Sequence, residues 1–242
     1  MREPLYNRTS KRRSDGAGVM GKLRILALDG GYRPLVMCLM LQKLEAARPG
    51  LLDLVDVFAG TSSGSATAAL IGVADTPQRG LAEAISIFRR WNPLEGTSPF
   101  SPRTLGAAGG FNAFLTHQFL YDELLAALGE TRLKEVPRKL VIPTVELDNH
   151  VRLAKLRRWS IQVYHNLAAE LAPADRLVDV VLRSSSIPLL QPAYQGHVDG
   201  GLFANNPSDN AVIAVHDFLD VAMDDMVVLS IGQSQTNHFM DL

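Results

Sequence analysis

The chain has 242 residues, 47% hydrophobic and 20% charged, with a formal net charge of -1 and a single cysteine. That size and composition predict one sizeable globular core and exclude bulk disorder. A lone Cys38 leaves no intramolecular disulfide and no multi-cysteine zinc site, and the near-neutral balance gives no global pull towards nucleic acid. No window approaches ~18 consecutive apolar residues and no secretory leader is visible, so a cytoplasmic protein without a spanning helix is expected.

Charge is uneven. Residues 1–22 hold six Lys or Arg against two acids, eight basic residues fall between Arg132 and Arg158, and from Ser184 onwards there are seven Asp and no Lys or Arg. The middle cluster reads either as a solvated face or as a surface meeting anionic head groups or substrates.

Residues 1–21 are polar, basic and glycine-punctuated, a flexible lead-in to a single domain spanning 22–242. The apolar run 23–28, broken by Asp29-Gly30-Gly31, predicts a buried strand entering a tight turn. Pro34 suits the first turn of a helix, and the all-apolar stretch 35–41 predicts that this helix is buried all round. Residues 56–59 read as a second strand, leading into Gly60-Thr61-Ser62-Ser63-Gly64 and a helix over 65–71. An amphipathic helix is expected over 80–91, then a Gly-, Pro- and Ser-rich excursion over 92–111 of the kind that forms a lid or substrate rim. Helix over 121–128, strands over 140–147 and 161–164, and a helix over 175–186 stopped by Pro188 follow. Residues 196–199 precede a second Gly-Gly turn, Asn206-Pro207 opens a helix to 219, and 227–231 reads as a last buried strand. Strands alternating with helices predict one α/β domain with a mostly parallel sheet. The chain ends ten residues after Gly232, which predicts that a C-terminal part is missing.

The chemistry centres on Gly60-Thr61-Ser62-Ser63-Gly64. In the nucleophile elbow G-x-S-x-G, the serine stands on a sharp strand-to-helix turn, where the helix dipole and free N–H groups favour developing negative charge. Ser62 holds the central position, with Ser63 and Ser65 as neighbours, and Gly60 and Gly64 let backbone pass close to the turn. A nucleophilic serine needs a base. None of the six histidines lies in a motif marking it as one, whereas Val198-Asp199-Gly200-Gly201 presents an acid at a strand end with little steric cover. Partial burial would raise the pKa of Asp199 and make it a better base. The glycines of Leu28-Asp29-Gly30-Gly31-Tyr32-Arg33 could offer N–H groups to an oxyanion, with Arg33 adding positive charge. A phosphate cradle is the rival reading, but neither G-x-G-x-x-G nor G-K-[ST] is present.

These three motifs in this order, with Asn205-Asn206-Pro207 behind the last, resemble the patatin-like phospholipases, a family of lipid acyl hydrolases. Arg183-Ser184-Ser185-Ser186-Ile187-Pro188 and Val228-Leu229-Ser230-Ile231-Gly232 are similar to further segments of that family. The resemblance implies a three-layer α/β/α sandwich and a Ser62–Asp199 dyad without a catalytic histidine. It also implies oxyanion donors from Gly30 and Gly31 with Arg33 nearby, and neither a metal nor an organic cofactor. The family's first motif usually reads D-G-G-G-x-R-G. Here it is one glycine short and carries Pro34 where the last glycine belongs, which predicts an oxyanion hole short of a donor and slow turnover.

The resulting expectation is a serine hydrolase of lipid carboxylic esters, acting on phospholipid or acylglycerol with peripheral membrane contact and no nucleic-acid partner. A weakened lipid-binding or regulatory protein, and acyl transfer to an acceptor other than water, stand as alternatives. Substrate preference and oligomeric state are not legible.

Overall fold

A computed structural model describes residues 21–92, 113, 115–149, 151–168 and 170–233. The basic lead-in and most of the expected lid excursion lie outside these described residues. A six-stranded sheet runs in the order β4-β3-β2-β1-β6, with β5 also paired to β3. The strands are β1 (Leu23–Leu28), β2 (Val57–Gly60), β3 (Lys139–Glu146), β4 (Ser160–His165), β5 (His197–Asp199) and β6 (Met226–Ile231). β1 pairs in parallel with β2 and β6, and β2 with β3, while β4 and β5 run antiparallel to β3. The sheet is therefore mostly parallel, as the alternation of elements predicts.

Period-two alternation along β1 feeds two cores. Leu26 and Leu28 point to one side, against α1 (Pro34–Ala47), α2 (Ser63–Val73), α3 (Pro77–Arg90), α4 (Gln118–Leu128) and α5 (Leu177–Ser184). Ile25, Val57, Ala59 and Val141 face the other side, against Ala211, Ala214 and Val215 of α7 (Ser208–Leu219). A one-turn helix α6 (Gly201–Ala204) links β5 to α7. Helices on both faces of the sheet give the three layers.

Two expectations need correction. Helix α1 is not buried all round: Pro34, Met37, Cys38 and Leu41 face the core, but Met40 is 46% exposed and Val36 and Leu44 nearly as much. Strand β6 is not a buried strand either, since Val227, Val228 and Leu229 are exposed. Among the described residues β6 has β1 as its one neighbour, so its apolar run lies on an edge. An apolar run records side-chain type, not how many faces find cover.

One consequence of the register positions the site. β3 has only two edges. β4 occupies one edge along residues 141–146, so β2 (opposite 139–141) and β5 (opposite 144–146) must share the other edge. They meet end to end in one lane, β2 arriving at Gly60 and β5 arriving from the opposite direction at Asp199.

Candidate active site

At that meeting point the chain leaves β2 through Thr61 and Ser62 and enters α2 at Ser63. Ser62 takes φ 53° and ψ -124°, a conformation disfavoured for any residue with a side chain. Such strain costs about 1–3 kcal/mol and persists where the surroundings over-determine it. Here they do. The Ser62 N–H donates to Ser184 Oγ at 3.0 Å, its carbonyl accepts from Ser65 and Ala66 N–H, and Thr61 Oγ1 donates to the Ala204 carbonyl at 2.6 Å. Gly60 and Gly64 are required by space: a Cβ on Gly60 would lie 2.3 Å from the Gly64 carbonyl oxygen, and one on Gly64 2.2 Å from that of Leu28.

The structure separates the three neighbouring serines. Ser63 Oγ donates to the Gly31 carbonyl at 2.9 Å and Ser65 Oγ to the Ser62 carbonyl at 2.6 Å, so backbone holds both. The Ser62 hydroxyl instead lies against the Asp199 carboxyl.

Asp199 is 5% exposed. Its N–H donates to the Ser186 carbonyl at 2.8 Å, and Oδ1 accepts from Gly201 N–H at 2.6 Å. Burial raises its pKa above the ordinary 3.8, an effect that the Ser62 hydroxyl and Gly201 N–H only partly offset. Oδ2 is buried without a well-formed hydrogen bond. The Ser62 hydroxyl thus approaches the Asp199 carboxyl without a well-formed hydrogen bond to Oδ2.

Ser184 and Ser186 link the backbones of the two segments. Besides receiving the Ser62 N–H, Ser184 accepts Gly200 N–H at its carbonyl and donates from Oγ to the Pro143 carbonyl at 2.7 Å. Just before it, the Arg183 guanidinium binds Asp175 at 2.8 Å, Tyr164 at 2.9 Å and Gln195 at 2.6 Å, fixing this segment to β4 and to the approach to β5. His197 shares a strand with Asp199, but its ring contacts the Gln195 carbonyl and the Tyr164 hydroxyl. His117 contacts Ser186 Oγ at 2.9 Å. No histidine among the described residues is hydrogen-bonded to Ser62 or Asp199.

The glycine loop departs from expectation at two residues. Gly30 N–H donates to the Asn205 carbonyl at 2.9 Å, so it is committed and not available to an oxyanion. Gly30 serves space instead, as a Cβ there would come within 3.1 Å of Ser62 Cβ. Arg33 is exposed, lines neither cavity at Ser62, and spends its N–H on Gln233 Oε1 at 2.9 Å. The N–H groups of Gly31 and Tyr32 have no acceptor among the described residues. Gly31 has φ 152°. Pro34 is the first residue of α1, where a missing N–H is one of the helix's unpaired donors anyway.

Sequence reading missed Gln233. Buried beyond β6, it donates from Nε2 to the Asp29 carbonyl at 2.8 Å and to Ser63 Oγ at 2.6 Å while accepting from Arg33. It ties the glycine loop to the first turn of α2. No local signal marks it, because its partners lie 170 to 204 residues away.

Two cavities open at Ser62. One, of about 230 Å3, runs past Asp199 and is bounded by Tyr32, Ile187, Pro188 and Leu202. The other, of about 50 Å3, is apolar, with Phe88, Trp91, Leu115, Phe119 and Leu120 around Ser62 and Ser63. Among the described residues no three His, Cys, Asp or Glu side chains gather as a metal site. No described helix is long and apolar enough to cross a membrane.

A sheet fed by an elbow serine and closed by an aspartate before Gly-Gly defines a patatin-like α/β fold. The chain belongs to the patatin-like phospholipase family, whose model matches residues 26–212. It is 30% identical over 225 residues to "Putative sporulation hydrolase CotR" of Bacillus subtilis (strain 168), and 29% identical over 222 residues to "Protein teg" of Priestia megaterium. Each alignment covers 89% of this chain and 64% of the relative, so the chain spans under two thirds of their length. Patatin-like protein 4 of Arabidopsis thaliana is 28% identical, over 76% of this chain and 50% of its own. Among solved structures, VipD from Legionella pneumophila aligns with 86% of this chain and 49% of its own, at 13% identity and a TM-score of 0.46.

Proposed function

We propose that this chain is a serine lipid acyl hydrolase working through a Ser62–Asp199 dyad. The observation that carries the reading is the pairing of a strained, backbone-anchored Ser62 with a buried carboxyl whose Oδ2 is unpartnered, at the mouth of an apolar cavity. Ser62 Oγ attacks the ester carbonyl as Asp199 takes its proton. The N–H groups of Gly31 and Tyr32 receive the oxyanion, and α2 directs its N-terminus at the same place. The tetrahedral species collapses, Asp199 returns the proton to the departing alcohol, and an acyl-enzyme is left. Water, deprotonated by the same carboxylate, attacks that ester, and the proton passes from Asp199 to the departing Ser62 Oγ as the fatty acid is released. The acyl chain lies among Phe88, Trp91 and Phe119, and the alcohol portion in the larger cavity beside Asp199. No step requires a cofactor.

Turnover of p-nitrophenyl butyrate and of phospholipid in vesicles, each lost in a folded Ser62→Ala variant, is the expected result. A folded Ser62→Ala variant as active as its parent contradicts it.

A further inference from the structure

β3 runs parallel to β1 and β2, so its C-terminal end lies on the edge of the sheet that carries the glycine loop and the Ser62 elbow. It passes Asp199 at Thr144, continues to Glu146, and Leu147 N–H is still held by the Gly196 carbonyl at 2.9 Å. The chain then makes an excursion off this catalytic edge before returning as β4.

Residues 151–159 of that excursion read Val-Arg-Leu-Ala-Lys-Leu-Arg-Arg-Trp, and every one is exposed. Leu153 is 57% exposed, Leu156 53% and Trp159 65%. Four cations are interleaved with them and no acid. Arg157 is ion-paired with Asp148, whereas Arg152, Lys155 and Arg158 have no carboxylate partner among the described residues.

This is a held platform. Asn149 fastens both ends of the excursion: its N–H donates to the Arg158 carbonyl at 3.1 Å and its Nδ2 to the Leu156 carbonyl at 3.2 Å. A one-turn helix over Ala154–Leu156 carries the tip. Three large apolar side chains left in water on a fixed tip, ringed by unpaired cations, match the two-sided chemistry of a bilayer interface. Apolar groups and the indole sit at head-group depth while long basic stems snorkel to lipid phosphates. Two residues lining the larger cavity show the same exposure, Leu202 at 61% and Tyr32 at 57%.

We propose that residues 151–159 form an interfacial anchor that seats in an anionic lipid surface and holds the mouth of the Ser62 site against it. The inference rests on the lipid-hydrolase reading, and its test keeps the two apart.

The test is flotation of the full chain with vesicles of phosphatidylcholine alone or with 30 mol% phosphatidylglycerol, alongside turnover of soluble p-nitrophenyl butyrate. Binding is expected on the anionic vesicles and to weaken with added salt. Arg152→Glu/Lys155→Glu/Arg158→Glu should lower partitioning at least roughly a hundredfold, given the contribution of each cation near an anionic surface. Leu153→Ser/Leu156→Ser should also lower it, with soluble-ester turnover unchanged in both variants. Brominated lipid should quench Trp159, and Trp159→Phe should remove that quenching. Equal binding to both vesicle types, or anionic binding that survives charge reversal, overturns the anchor. So does binding of a DNA duplex without lipid quenching, or self-association abolished by Leu153→Ser/Leu156→Ser. Normal anchoring without any ester turnover leaves the anchor standing and defeats the hydrolase reading instead.

Discussion

The first two strand-to-helix units of this chain lie side by side in the sheet and solve different problems. Between β1 and α1 five residues intervene, 29–33; between β2 and α2 only two do, 61 and 62. The short connection holds Ser62 in a strained conformation and turns its side chain towards the two cavities. The longer one lets backbone N–H groups turn outwards at Gly31 and Tyr32, with their neighbours tied down by Asn205 and Gln233. Turn length thus decides what is presented: a side-chain hydroxyl from one unit, backbone N–H groups from the other.

The largest effects are expected at the β2–α2 turn. Ser62→Ala should reduce kcat to background, a loss on the order of a millionfold, with an unchanged circular dichroism spectrum because alanine fits the same turn. Asp199→Asn should cost roughly 10^3- to 10^4-fold in kcat, whereas His117→Ala and His197→Ala should each stay near parental turnover. If His197→Ala is as inactive as Asp199→Asn while folded, the dyad gives way to a three-residue scheme. Asp199 must be ionised to act as a base. Because burial raises its pKa, activity should fall on acidification with a midpoint above 3.8, read from the pH profile of kcat/KM.

At the glycine loop the expected losses are smaller. A Cβ on Gly31 would lie 2.7 Å from Gln233 Oε1, so Gly31→Ala should disturb the donors and lower kcat by about a hundredfold or more. KM should change little, since the oxyanion exists only near the transition state. A rise in KM with kcat preserved would remove this loop from the oxyanion role. Ser184→Ala leaves the strained Ser62 without its N–H acceptor, and an unmet buried donor costs about 1–3 kcal/mol. A lower melting temperature with a modest fall in kcat is expected.

The elbow was readable because its requirements are local. Gly60, Ser62 and Gly64 stand in five residues between an apolar run and a helical one, and each glycine answers a contact made by the turn itself or by the adjacent strand. Asp199 stands out as a candidate base by its place before Gly200-Gly201, and the family resemblance adds the dyad without a histidine. What brings it beside Ser62, two strands sharing one edge of β3, is a matter of register that no local pattern encodes. The same limit applies to Gly30. Its N–H is consumed by Asn205, 175 residues away, and the partners of Gln233 and Ser184 are comparably distant. The exposed faces of α1 and β6 show the complementary failure, where apolar composition overstates burial.

The most direct measurement is labelling of the full chain with a fluorophosphonate, followed by peptide mapping of the modified residue. A single adduct on Ser62 is expected, with labelling slowed in Asp199→Asn and abolished in Ser62→Ala. An adduct on Ser63 or Ser65, or labelling indifferent to Asp199→Asn, would contradict it.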